Sequence, residues 1–183
     1  PGGYRYGGGR AVMRCEHVDG PTSMIKAIQK SCNTYFGYAY AKMIDSRNMS
    51  GPKAYELWRE GLNKFGLGQR LGIDLPGEKP GLVPTADFYT KRFGSEKWRS
   101  SYNISLSIGQ GELGITPLQM ANIMAIVANR GFYYRPHLIK GIGKEKIIKD
   151  EFTEKISAGV EAKYFEPVIE GMSRVVNVPG GTG

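Results

Sequence analysis

Gly109 to Gly131 reads GQGELGITPLQMANIMAIVANRG, and no other stretch says more about the fold. Thr116 stands as a helix cap, Pro117 takes the first helical position, where its missing N–H is no loss, and Gly131 supplies the stop. Between them Leu118–Arg130 is apolar on nearly every side. A helix that is apolar all round is a buried one, so the pattern predicts the central helix of a domain. Gly109, Gly111 and Gly114 also match the G-x-G-x-x-G spacing of a dinucleotide loop. That loop needs a helix immediately after the glycines and an acid about 20 residues further on. Here the helix waits for its own Thr116-Pro117 start, and Asn122–Arg130 offers no acid. A tight loop leading into the helix is the better reading.

Upstream of this stretch the chain is mostly helical in pattern. Gly20-Pro21-Thr22-Ser23 supplies a start for a short helix through Met24, Ile25 and Ile28, ending near Lys30. Tyr35, Phe36, Ala39, Tyr40, Met43 and Ile44 recur at helical spacing and predict an amphipathic helix from about Thr34 to Asp45. Gly51-Pro52 opens another, carrying Tyr55, Leu57, Trp58, Leu62 and Phe65 to a stop at Gly66. From Gly66 to about Ser101 the chain reads as turn-rich, with an aromatic-basic run, DFYTKRFGSEKWR, at its end. The first twenty residues read as loop with a short strand near Arg10–Arg14. Downstream, FYYRPHLIK (132–140) reads as a short strand that Pro136 confines to an edge. GKEKIIKDEF (143–152) reads as an exposed turn with short strands. A last helix is expected from near Pro167, with Val168, Ile169, Met172, Val175 and Val176 as its inner face.

Composition bounds the class. At 183 residues, 40% hydrophobic and 23% charged, the chain is one folded domain rather than a disordered one. Twenty-six glycines, about twice the usual share, mean much loop. The balance of 25 basic to 17 acidic residues gives +8, which favours anionic partners. Nucleic acid is not among those expected: there is no zinc-finger spacing and no RNA-recognition aromatic signature, and the Lys and Arg are dispersed. His17 and His137 stand too far apart in sequence to suggest a structural zinc, and neither metal nor cofactor is expected. Cys15 and Cys32 allow one disulfide, but two free thiols are the expectation from sequence. No run approaches 18 apolar residues.

Two short motifs remain as candidates for chemistry. Ser23-Met24-Ile25-Lys26 spells S-x-x-K, in which a neutral lysine one helical turn on can take a serine proton. The pattern is frequent by chance, and Lys26 sits on a helix whose apolar side is needed for packing. Ser31-Cys32-Asn33 spells S-x-N. In an extended or turning segment its two polar side chains point the same way, one a hydroxyl able to relay a proton, the other an amide able to donate to a carbonyl. Read alone, either residue serves equally well as a cap for the helix at Thr34.

Context decides between these readings. AIQKSCNTYF with its aromatic helix, then KFGLGQRLGIDLPGEKPGLVP, then SIGQGELGITPLQMANIMAIVANRG, then RPHL, resembles in order the transpeptidase domain of class B penicillin-binding proteins. The likeness is to the elongation-type branch, penicillin-binding protein 2, and it runs over essentially the whole chain. It implies an α/β penicillin-binding-protein/serine β-lactamase-like transpeptidase fold, here mostly its helical portion plus part of the sheet. Residues 1–183 are then a partial domain. The family's three signatures are S-x-x-K, S-x-N and K-[ST]-G. Only the second maps here, onto Ser31, Cys32 and Asn33; the nucleophile would fall upstream of Pro1 and K-[ST]-G beyond Gly183. Ser23-x-x-Lys26 is in the wrong place and is rejected.

The resemblance implies a peptidoglycan D,D-transpeptidase working through a serine acyl-enzyme and inhibited by β-lactams. Ser31 would hydrogen-bond the lysine and help carry a proton to the leaving amine, while Asn33 would donate to the substrate carbonyl. Cys32 would fill the variable position as a small hydrophobe. Implied partners are peptidoglycan stem peptides, β-lactam antibiotics, a glycosyltransferase and elongation-complex proteins. The implied location is the inner membrane, with the catalytic domain facing the periplasm. Two readings compete, a non-catalytic penicillin-recognising sensor module and a serine β-lactamase relative. Without flanking segments, the Leu118–Arg130 helix should expose apolar surface.

Overall fold

The computed structural model describes residues 3–9, 11–17, 20–45, 48–95, 97–144 and 147–183. Arg10, in the strand expected near 10–14, and Glu145 and Lys146, in the expected turn, lie outside them. The described elements are β1 (Tyr4–Tyr6), β2 (Ala11–Met13), α1 (Met24–Gln29), α2 (Asn33–Ile44), α3 (Gly51–Lys64), α4 (Ala86–Phe93), α5 (Pro117–Ala128), β3 (Phe132–Tyr133), β4 (Ile156–Ser157) and α6 (Glu166–Asn177). The strands form two antiparallel ribbons, β1 with β2 and β3 with β4. The chain divides into two units, one holding residues 1–59, 84–113 and 166–183, the other 60–83 and 114–165.

In the first unit the core is aromatic. Tyr55 is fully buried, with Tyr89, Trp98 and Trp58 rings at 5.4, 5.5 and 5.5 Å. Tyr40, Ile44, Ala86, Ile104 and Leu106 complete the cluster. Each buried phenol finds an acceptor, as burial requires. Tyr40 donates to Asn103 Oδ1 at 3.0 Å, Tyr55 to the Pro84 carbonyl at 2.8 Å, and Tyr89 to Glu112 Oε2 at 3.0 Å. Asp45, just past α2, accepts from both the backbone N–H and the hydroxyl of buried Ser100, at 2.9 and 2.7 Å.

Several expectations need correction here. Residues 66–101 are not turn throughout: α4 forms within them, with Thr85 Oγ1 accepting from the Phe88 N–H at 3.1 Å and Gly94 closing the helix at φ 64°. On α2 the buried face is Thr34, Gly37, Tyr40, Ala41 and Ile44, so Met43 and Ala39 lie outside it. The phase shifts because Gly37 lets Met13 of β2 approach: a Cβ there would meet the Met13 sulfur at 2.5 Å. On α6, Val176 is 73% exposed, and the fully inward residue is Gly171, pressed against Ile28 of α1.

The second unit is built around α5, and the cap chemistry holds. Thr116 and Gln119 form a reciprocal capping box, with Pro117 inside the first turn. The expectation of burial on every side does not hold in this chain. Only Gln119, Asn122 and Ile126 are buried, along one stripe, while Met120 and Met124 are 48% and 44% exposed. Two of those three are amides, so the helix is held largely by polar bonds. Gln119 Nε2 donates to the carbonyls of Gly66, Gln69 and Pro80, and Asn122 Nδ2 to that of Phe65. The strand expected over 132–140 shrinks to Phe132–Tyr133, paired with Ile156–Ser157, and chain pairing resumes only at an Ile142–Ile147 bridge. Asp74 accepts from the Leu138 and Ile139 N–H groups at 2.9 Å each, which holds its carboxyl below the usual carboxylate range.

Candidate active site

The S-x-N residues occupy the turn between α1 and α2. Helix α1 ends at Lys30; the Ser31 N–H donates to the Ile28 carbonyl at 3.1 Å, and the Cys32 N–H to the Ala27 carbonyl at 2.8 Å. That pair of bonds is a Schellman ending, whose left-handed position glycine ordinarily takes. Here it is Ser31, at φ 50°. Among the described residues only Arg130 shares a positive φ without being glycine. An L-residue in that region carries about 1–2 kcal/mol of steric cost. Strain of this kind persists where surroundings over-determine the conformation.

The surroundings do so from the inside. Cys32 is fully buried and disulfide-bonded to Cys15, with Cα atoms 5.0 Å apart. The expectation of two free thiols is therefore corrected; the hairpin β1–β2 and the turn that follows it bring Cys15 beside the start of α2. Burial of Cys32 against Ala27, Tyr35 and Phe36 agrees with its reading as a small hydrophobe. The next amide, Thr34 N–H, donates to Cys15 Sγ at 3.3 Å, and Thr34 Oγ1 donates to the Met13 carbonyl at 3.0 Å.

Burial alternates along the motif: Ser31 exposed, Cys32 buried, Asn33 exposed, Thr34 buried. Cys32 is the N-cap of α2 and makes no side-chain capping bond. Neither Ser31 nor Asn33 is used as a cap, which removes the plainest structural explanation for their polarity. The Asn33 carboxamide makes no hydrogen bond to the described residues. The Ser31 hydroxyl is 3.0 Å from Thr182 Oγ1, and Thr182 Oγ1 donates to the Gln29 carbonyl at 3.3 Å. Lys30 Nζ donates to the Gly180 carbonyl. The tail after α6 therefore crosses the S-x-N turn, and Thr182, Lys30 and Cys15 join the site. Sequence reasoning named Cys15 only as a possible disulfide partner and missed Lys30 and Thr182; Thr182 stands in VPGGTG, a run that looks like any linker. Ser23, by contrast, spends its oxygen as the α1 cap, accepting from the Lys26 N–H at 3.3 Å.

Beside the turn lies a hollow of about 420 Å³ lined by Gly3, Tyr4, Thr22, Thr34, Tyr35 and Tyr38. Ser31 and Asn33 are not among its lining residues. No group of three or more potential metal ligands stands together among the described residues.

The model of one family, the penicillin-binding protein transpeptidase domain, matches residues 2–183. The chain belongs to that family. The peptidoglycan D,D-transpeptidase MrdA of Acinetobacter baumannii is 40% identical over 121 residues, covering 66% of this chain and 16% of that protein. The structure of Pseudomonas aeruginosa PBP2 in complex with WCK 5153 superposes with a TM-score of 0.77 at 29% identity, over 100% of this chain and 39% of that one. Helicobacter pylori PBP2, in its complex with MreC, gives 0.71 at 26% identity, over 100% and 30%. This transpeptidase-domain chain thus has the expected fold class and spans well under half the length of these relatives. No helix among its described residues is long and apolar enough to cross a membrane.

Proposed function

We propose that this chain is the S-x-N-bearing part of a peptidoglycan D,D-transpeptidase domain, with Ser31 and Asn33 as site residues. One observation carries the reading. A hydroxyl and a carboxamide face solvent on either side of a fully buried residue, neither spent on capping, and the serine is held in a conformation that favours glycine. In the proposed reaction a serine and lysine from S-x-x-K, outside this chain, attack the D-Ala-D-Ala carbonyl. Ser31 accepts a hydrogen bond from the lysine and hands a proton toward the leaving amine. Asn33 donates its NH₂ to the substrate carbonyl, and its oxygen steadies the lysine.

The partners follow from the same reading: stem peptides as substrate, β-lactams as inhibitors, and in the longer protein a glycosyltransferase and elongation-complex proteins. The MreC complex of the H. pylori relative supports the last of these. The Cys15–Cys32 disulfide supports a domain on the periplasmic side of the inner membrane, since such bonds persist in oxidising compartments.

The test is acylation by a fluorescent penicillin. The isolated 183-residue chain should not label, and the longer protein with its S-x-x-K segment should. Ser31→Ala and Asn33→Ala in that protein should each slow labelling by about a hundredfold or more, the usual yield of a positioned acid–base or carbonyl-binding group. Normal labelling of both variants sinks the assignment. Rapid hydrolysis of nitrocefin would favour the β-lactamase reading; binding without acylation would favour the sensor.

A further inference from the structure

The tail beyond α6 is built onto the S-x-N turn rather than left beside it. The Gly183 N–H donates to the Val175 carbonyl at 3.1 Å, and the Gly181 N–H to that of Val178 at 3.0 Å. A Cβ at Gly181 would lie 2.1 Å from the Val175 oxygen, so only glycine lets the chain double back so tightly. The Lys30–Gly180 bond pins the same strap to the end of α1. Thr182 is thereby held over Gln29 and Ser31.

Counting protons gives the bonds a direction. The Thr182 hydroxyl carries one hydrogen, and the Gln29 carbonyl can only accept it. The Thr182 oxygen is then the acceptor in its 3.0 Å contact with Ser31, and the Ser31 hydroxyl is the donor. With its hydrogen turned to Thr182 before the reaction, Ser31 Oγ keeps its lone pairs for an outside donor; once it accepts the lysine's proton, rotation about Cβ–Oγ releases one hydrogen to the leaving amine. An ammonium group has donors only, so it meets the serine in the state that can receive it.

We infer that Thr182 is a positioning residue for Ser31, setting the serine hydroxyl as an acceptor toward the lysine of the acylating pair. The inference rests on the transpeptidase reading above, and its test separates the two. In the longer protein, Thr182→Val keeps the shape and removes the hydroxyl, while Thr182→Ser keeps the hydroxyl. Penicillin acylation is resolved into pre-covalent affinity and acylation rate, with the melting temperature measured alongside, and Ser31→Ala is run in parallel. The expected result is a roughly tenfold slower acylation for Thr182→Val, the effect of one ordinary hydrogen bond, with affinity and melting temperature unchanged. Thr182→Ser should restore the rate. Wild-type acylation in Thr182→Val, or equal slowing in Thr182→Ser, overturns the inference while leaving the transpeptidase reading in place. A Thr182→Val variant that loses melting temperature, affinity and rate together overturns it too, because the bond is then merely structural. Full-rate acylation in Ser31→Ala removes the transpeptidase assignment itself.

Discussion

Cys32, the middle residue of the S-x-N turn, is covalently joined to Cys15 with their Cα atoms 5.0 Å apart. The link fixes the turn from the protein interior, while the strap carrying Thr182 fixes it from the surface. Because the bond closes a loop over a sequence separation of 17, its removal frees mainly the unfolded chain, and a loop of that order is worth about 3 kcal/mol. The Cys15→Ser/Cys32→Ser double variant should lose about that much stability in urea unfolding, and the Thr34 N–H loses its sulfur acceptor as well. Hydrogen exchange should speed up first at Ser31–Tyr35. An unchanged unfolding midpoint would show that packing alone sets the turn.

The left-handed Ser31 makes a comparison possible that isolates strain from chemistry. Ser31→Ala and Ser31→Gly both lose the bond to Thr182, but only alanine keeps the Cβ that opposes φ 50°. The glycine variant should therefore be the more stable of the two by about 1 kcal/mol, read as a higher urea midpoint at equal slope. Both should be deficient in acylation in the longer protein. A glycine variant no more stable than the alanine one would mean that the turn does not hold this conformation in solution.

Tyr40, Tyr55 and Tyr89 share a second consequence of burial. Loss of water around the phenols pushes all three well above the ordinary 10.0; neighbouring phenols and carboxylates add to this at Tyr40 and Tyr89, while at Tyr55 Glu56 adds to it and Arg59 and Tyr89 oppose it. A raised native pKa means that the folded state holds its protons where the unfolded chain releases them. Stability is therefore complete below pH 10.0 and falls as pH rises beyond it. Phenolate absorbance from these tyrosines should appear together with unfolding and not before. Phenolate formation at Tyr40, Tyr55 or Tyr89 while the protein is still folded would contradict the buried aromatic core.

Much of this architecture was legible because the signals are local. Ser23, Thr116 and Pro117 start helices, Gly66 and Gly131 end them, and each works through neighbouring atoms. The family-like order of blocks then pointed to Ser31 and Asn33, the residues proposed for the site. Helix α4 escaped because Asp87, Lys91 and Arg92 mask its apolar period, although Thr85 and Gly94 bracket it with ordinary cap chemistry. The disulfide and the Thr182 strap escaped for a different reason. The first depends on a hairpin returning Cys15 to α2, the second on a contact 151 residues apart, and no periodicity encodes either. The apolar reading of α5 failed in an instructive way: it counted Leu, Met and Ile and overlooked the two amides that are actually buried.

Those amides carry the last prediction. Gln119 is 1% exposed, and its Nε2 lies 3.0, 2.9 and 2.9 Å from the carbonyls of Gly66, Gln69 and Pro80. Two N–H bonds serve three acceptors, so one hydrogen is shared; Oε1 meanwhile accepts from the Thr116 N–H at 3.0 Å. Gln119→Leu keeps much of the volume but leaves these backbone groups without partners. Each buried orphan costs about 1–3 kcal/mol, and partial hydration should keep the total near 3–4 kcal/mol. Gln119→Glu preserves the bond from Thr116 yet sets a carboxylate against three carbonyl oxygens, so it should be at least as damaging at neutral pH and recover toward acid as the carboxyl gains a proton. Met120→Leu, on the exposed face of the same helix, should change stability by less than about 0.5 kcal/mol. Thermal unfolding of the three variants checks the order; equal stability for Gln119→Leu and Met120→Leu would mean that the 66–80 loop is held by something other than this side chain.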